Sequence, residues 1–230
     1  MIATVAVATV VTVGARRWGA AWTVPTGRVL MAGIAGGFLC EQLLYAARHE
    51  WTVQVNLPLQ LSDAVTLTSV AALWRPESAV LVELLYFWAL SASVQAVVTP
   101  DLTQSFPDPL FFTYFATHSG AIAAACLLVF GAGHAPRRDA VWRVSAITAA
   151  FAGVAAIATV LTGGNYMFLR RKPAGGSLLD VMGPWPVYIL SGAVAALVIF
   201  VALAAVARWS ESRRPSATTP VASGRRRSGS

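Results

Sequence analysis

Seven apolar stretches, most of them long enough to cross a lipid bilayer, dominate the sequence and leave it few ways to fold. They are Met1–Gly14, Thr26–Ala47, Leu57–Trp74, Ser78–Val98, Pro109–Gly131, Val141–Gly163 and Trp185–Ala207. A hydrocarbon core about 30 Å thick needs roughly 20 apolar residues of helix. Such a segment must be helical, because lipid offers its backbone no hydrogen-bond partners. The composition agrees: 57% of the residues are hydrophobic and 12% charged, against about 25% charged in soluble domains. A water-soluble enzyme is therefore excluded. The expected fold is all-α, a polytopic membrane bundle of about seven helices, or six if the first stretch is not a span.

That first stretch is the weakest. Its 14 residues rise about 21 Å at 1.5 Å each, which fits a signal peptide, a partial span or a helix that starts further upstream. A signal peptide places its basic residues before the apolar core. Here Arg16 and Arg17 follow it, which favours a retained span.

The arginines set an orientation. Of the 17 basic residues, 13 fall on the segments that are cytoplasmic if the N-terminus is outside. Only Arg48, Arg170, Arg171 and Lys172 fall on the other side. This positive-inside bias predicts N-out, C-in, and it turns the net charge of +7 into a statement about topology, with no nucleic-acid partner implied. Residues 1–207 then form one transmembrane bundle. Residues 208–230, rich in Arg, Ser, Pro and Thr, read as a disordered basic cytoplasmic tail. Cys40 and Cys126 fall inside spans, where a thiol behaves as a small hydrophobe, so no disulfide is expected.

Polar groups inside spans are costly and are functional candidates by default. Glu41 and Gln42 lie near the outer end of the second span, Gln60, Ser62 and Asp63 near that of the third, and Gln95 near that of the fourth. His118 is nine residues into the fifth span, and Asn165 follows the sixth. They converge on the outer half, which predicts an outward-facing polar pocket. Glu83 is the exception and reads as a structural group paired with Arg75 or Arg143. Ser62, Thr66 and Ser69 share one helical face by their i, i+4, i+7 spacing, with Pro58 in the first turn. Tyr114 stands one turn before His118, so its hydroxyl is placed to orient the imidazole. A hydroxyl and an imidazole within hydrogen-bond reach make a nucleophile and its base. The competing account has Ser62 bonded to its own helix and His118 as a satisfied core residue. Gly33-x-x-x-Gly37 and the small residues around Ser91 read as close-packing faces.

Four blocks carry a resemblance: LPLQLS (Leu57–Ser62), YFWALSASVQAVVTPDLTQSFPDP (Tyr86–Pro109), FFTYFATHSG (Phe111–Gly120) and LTGGNYMFLRRKPAGGSLLDVMGPWPVYIL (Leu161–Leu190). In this order they resemble the YwaF-like bacterial integral membrane family. That layout is in turn similar to eukaryotic transmembrane lipid acyltransferases, which pair a cysteine with a histidine, and to androgen-induced lipid-ester hydrolases, which pair a threonine with a histidine.

The resemblance implies a nucleophile at Ser62 and a base at His118. The chain departs from the bacterial pattern, which usually has Cys at the position of Ser62 and often His or Glu at that of Gln60. Serine is the weaker nucleophile near neutral pH. On this reading Arg170, Arg171 and Lys172, with Asn165 and Tyr166, hold a phospholipid headgroup just outside the membrane. Gln60, Asp63 and Tyr114 line the pocket, and Asn165 or Gln95 serves as oxyanion donor. Membrane lipids of the plasma membrane are the expected partners, and no metal or cofactor is expected. Two rivals stay open: a non-catalytic lipid-binding or structural protein, and a small-solute transporter.

Overall fold

In the computed structural model, which describes residues 1–173 and 176–213, every apolar stretch becomes a helix. The helices are α1 (Ile2–Trp18), α2 (Ala20–Ala47), α3 (Leu61–Trp74), α4 (Ala79–Val98), α5 (Pro109–Ala132), α6 (Ala140–Thr162) and α7 (Val187–Ser212). Five of them, α2 and α4 to α7, are long and apolar enough to cross a membrane. At 1.5 Å per residue, α1 rises about 26 Å and α3 only about 21 Å. The fold is thus an all-α polytopic bundle in which two short helices pack among five long ones.

The helices alternate in direction. Thr4 meets Ser119 and Ala15 lies against Gly131, so α1 runs parallel to α5. Gly27, Ile34 and Gly37 of α2 face Leu127, Gly120 and Thr117 in turn, so α2 runs antiparallel to it. Arg16 reaches both the Phe130 carbonyl and the Ser210 hydroxyl. The ends of α1, α5 and α7 therefore share one end of the bundle, opposite Met1.

The core sits where α3, α4, α5 and α7 meet. Leu85, Tyr86 and Phe87 are fully buried at its centre, with Phe200 of α7 packed 5.3 Å from Phe87. The outer helices instead present Val154, Val160, Leu190 and Val198 to their surroundings. In water such faces would drive association; in lipid they are ordinary.

Several boundaries differ from expectation. α2 begins at Ala20, only Gly19 separating it from α1, and it contains Pro25; membrane helices tolerate such a proline where neighbours satisfy the freed carbonyl. α3 begins at Leu61, which leaves Pro58 outside the helix and makes Gln60 its N-cap. The cause is a capping box: the Asp63 carboxylate accepts the Gln60 N–H at 3.0 Å. Gly33 is not a packing residue, since a Cβ there would meet nothing within 4 Å; Gly37 does pack, against Thr117. Helix α7 continues through Ser212, into the segment expected to be a tail. The rest of that expected tail, residues 214–230, lies outside the described residues.

Glu83 is structural as expected, held by Arg143, one of its two expected partners, and by Arg137. Its carboxylate, 1% exposed, accepts from Arg137 at 2.7 and 3.0 Å and from Arg143 at 2.7 Å. Arg137, in the α5–α6 connection, takes the place foreseen for Arg75. The cluster ties α4 to α6 and to the loop before it.

Candidate functional site

Ser62 occupies the second position of α3, half-buried, in the turn that Gln60 caps. Thr66 and Ser69 turn inward at 6% and 0% exposure, but both hydroxyls donate to their own helix, to the Ser62 and Val65 carbonyls. The shared face is real, and two of its three hydroxyls are already committed to the backbone.

His118 lies on α5, which packs directly against α3, and is 8% exposed. Its Nδ1 stands 2.8 Å from the Tyr114 carbonyl oxygen. A carbonyl only accepts, so Nδ1 carries the proton and Nε2 keeps its lone pair. The Tyr114 ring stacks on the imidazole at 4.2 Å between centroids. The expected role of the Tyr114 hydroxyl is corrected: it donates to the Ala96 carbonyl at 3.0 Å, and the backbone and the ring do the orienting. Through that bond Tyr114 anchors α5 to the end of α4 beside Gln95. No hydrogen bond joins Ser62 to His118.

The second half of the site is the connection between α6 and α7. Asn165 builds it: its Oδ1 accepts the N–H groups of Arg170 and Arg171 at 3.0 Å each, and its Nδ2 donates to the Arg171 carbonyl at 2.8 Å. This loop nest presents Arg170 and Arg171 to the exterior. Lys172 turns back instead, donating to the Asp180 carbonyl at 3.3 Å with its ammonium 5.5 Å from the Tyr188 ring centroid. Tyr166 is fully buried and donates its hydroxyl to the Val53 carbonyl at 2.6 Å. Desolvation raises its pKa above that of an ordinary phenol.

Gln60 links the two halves. Its Oε1 accepts the Met167 N–H at 2.8 Å while the same residue caps α3. The loop is thereby docked on the turn that presents Ser62. Gly164 makes the docking tight, since a Cβ there would stand 2.4 Å from the Gln54 carbonyl oxygen. Met167 and Phe168 are consecutive non-glycine residues in the left-handed region, at φ 52 and 55. Each costs on the order of 1–3 kcal/mol and persists only where its surroundings enforce it. Gln60 holds the first through its N–H, and the Tyr188 hydroxyl donates to the carbonyl of the second.

A further polar contact at this end was not foreseen. Arg48, just past α2, makes a two-pronged bond at 3.0 and 3.0 Å to Asp108, which also caps α5 by accepting the Leu110 N–H. Arg48 holds the Asp108 carboxyl below its ordinary pKa. The sequence signal was present, an Asp before Pro109 at a helix start, but nothing in it named the partner. Among the described residues, no group of three or more His, Cys, Asp or Glu side chains is arranged to hold a metal.

Residues 1–204 match the TMEM164 family, and the chain belongs to that family. It is a multi-span membrane protein by this membership and by its helices. No curated protein and no solved structure matches it.

Proposed function

We propose that the protein performs acyl transfer or ester hydrolysis on membrane phospholipids, with Ser62 as nucleophile and His118 as general base. The observation that carries this reading is the 2.8 Å contact between His118 Nδ1 and the Tyr114 carbonyl oxygen. A buried imidazole that donates Nδ1–H to a backbone carbonyl has its Nε2 lone pair free to accept a proton.

The Ser62 hydroxyl would give its proton to Nε2 as Oγ attacks the acyl carbonyl. The ester C–O bond then breaks, and the departing alcohol takes the proton from His118. A second alcohol, or water, reverses the sequence and frees Ser62. The first turn of α3 adds its positive dipole end to any negative charge developing there. Arg170 and Arg171, exposed on the Asn165 loop, supply charge for a phosphate headgroup.

The resemblance to YwaF-like bacterial proteins and to transmembrane lipid acyltransferases and lipid-ester hydrolases supports the same class of chemistry and a plasma-membrane setting. A second reading, lipid binding without catalysis, draws support from the absence of a hydrogen bond between Ser62 and His118. A transport reading draws least, because Glu83, which a polar path would use, is consumed by Arg137 and Arg143.

A serine-reactive phosphonate lipid, presented in nanodiscs, tests the proposal. Wild type is expected to be labelled at Ser62, Ser62→Ala to be unlabelled, Ser62→Cys to react with thiol-directed acyl probes, and His118→Ala to label slowly. Equal labelling of wild type and Ser62→Ala overturns it.

A further inference from the structure

A cavity of about 520 Å³ opens on the flank of the bundle away from the Ser62 loop, between α1, the end of α4, α5 and α7. Its walls are apolar: Val5, Ala8 and Val13 on one side, Val97, Ile122 and Val206 on the others. It runs along α1 from Met1 to Arg16, where Arg16, Trp209 and Ser210 line it. In size it matches sites that hold one elongated small molecule.

We propose that this groove binds one phospholipid, an acyl chain lying along α1 and an anionic headgroup at Arg16. Length, surroundings and charge favour that occupant. One leaflet is half of a core about 30 Å thick, and about ten residues of helix cover that depth at 1.5 Å each. From Arg16 that distance ends near Val5, so the groove spans the reach of a single chain. It faces the lipid, and a concave apolar wall left empty would forfeit dispersion contacts on one side.

The Arg16 end is cationic and aromatic in the manner of an interface. Arg16 is held in place by the Phe130 carbonyl at 2.7 Å and the Ser210 hydroxyl at 3.2 Å. Arg17 stacks beside Trp18, and the Arg213 guanidinium lies 4.1 Å over the Trp209 ring. Aromatic rings with basic neighbours sit at the headgroup level of membranes, and basic clusters there attract anionic lipid. This site is independent of the Ser62 and His118 chemistry.

The test is photo-crosslinking of the full chain in phosphatidylcholine nanodiscs containing phosphatidylglycerol with a diazirine on one acyl chain. Crosslinks are expected to concentrate on Val5–Val13 and Val94–Val98, several-fold above the exposed residues Val154, Val160, Leu190 and Val198. Ala8→Trp fills the groove and is expected to remove that excess. Arg16→Gln is expected to lower capture of the anionic probe about fivefold while sparing a phosphatidylcholine probe, equivalent to about 1 kcal/mol for one basic residue at an anionic surface. Should Ala8→Trp fail to fold, the wild-type distribution alone decides the matter. An even spread over all lipid-facing helices means only annular lipid and overturns the proposal. Protection of the groove residues from the probe in a stable dimer of the chain overturns it too, since the groove is then a protein interface.

Discussion

His118 Nδ1 lies 2.8 Å from the carbonyl oxygen of Tyr114, one turn earlier on the same helix, while the Tyr114 ring stacks on the imidazole. Backbone and ring therefore do different work. The carbonyl fixes which nitrogen carries the proton, and the ring fixes the imidazole plane. Removing the Tyr114 hydroxyl should leave both intact. Tyr114→Phe is expected to retain the Nδ1–H tautomer, read from the ¹⁵N shifts of His118, and to lose about 1 kcal/mol of stability for the lost bond to Ala96. A switch to the Nε2–H tautomer in that variant would show that the hydroxyl, and not the carbonyl, sets the proton.

Glu83 offers an asymmetric test of a buried charge. Its carboxylate side chain is 1% exposed, whereas Arg137 and Arg143 are 45% and 26% exposed. Truncating the glutamate leaves arginines that can reach polar surroundings. Truncating both arginines strands a buried carboxylate. Arg137→Gln combined with Arg143→Gln should therefore cost about 3–5 kcal/mol, and more than Glu83→Gln, in thermal unfolding in a defined detergent. The reverse order would mean that the arginines, not Glu83, are the buried partners in the membrane.

These two sites mark what was legible in the sequence. All seven helices could be found because the hydropathy of a span is a local property. Glu83 could be flagged because a carboxylate in an apolar run is conspicuous on its own. One partner, Arg143, was among those expected; the other, Arg137, could not be chosen over the equally basic Arg75 without the packing around α4. Gln60 shows the same limit more sharply. Its residue type suggested a pocket wall, yet its backbone N–H closes the cap of α3 on Asp63 and its side chain holds the Met167 N–H, a contact across 107 residues that no local spacing encodes. Asn165 likewise spends its amide on the Arg170–Arg171 backbone. The amide was visible in the sequence, but the loop nest it stabilises was not.

The Arg48–Asp108 pair gives a pH dependence with a definite sign. The folded Asp108 carboxyl sits below its ordinary value because Arg48 and the Leu110 N–H stabilise the charged form. Its contribution is thus fully present above about pH 3.9, the unfolded value, and is lost as pH falls through the folded value. The stability difference between wild type and Asp108→Asn should be constant from pH 5 upward, in the range where unfolded Asp is also ionised, and shrink below about pH 4. Both residues are partly exposed, so salt should narrow the difference as well. A difference that grows on acidification would contradict the assignment.

Two glycines should respond to alanine in opposite directions, and the contrast tests whether the Asn165 loop is truly docked on the turn before α3. Gly33 lies inside α2 with open space where a Cβ would go, so Gly33→Ala should stabilise by up to about 1 kcal/mol through reduced backbone freedom in the unfolded chain. At Gly164 the obstacle is the Gln54 backbone, 2.4 Å from an added Cβ. A flexible side chain could swing aside, but a backbone carbonyl cannot move without its neighbours. Gly164→Ala should therefore cost about 1–3 kcal/mol and lift the loop away from Gln60, exposing the Met167 amide. Hydrogen exchange at Met167 reads that lifting directly. Faster exchange in Gly164→Ala, with no change in Gly33→Ala, is the expected result. Unchanged exchange in both would mean that the loop does not rest on the Ser62 turn, and the cationic loop would then have no fixed relation to the candidate nucleophile.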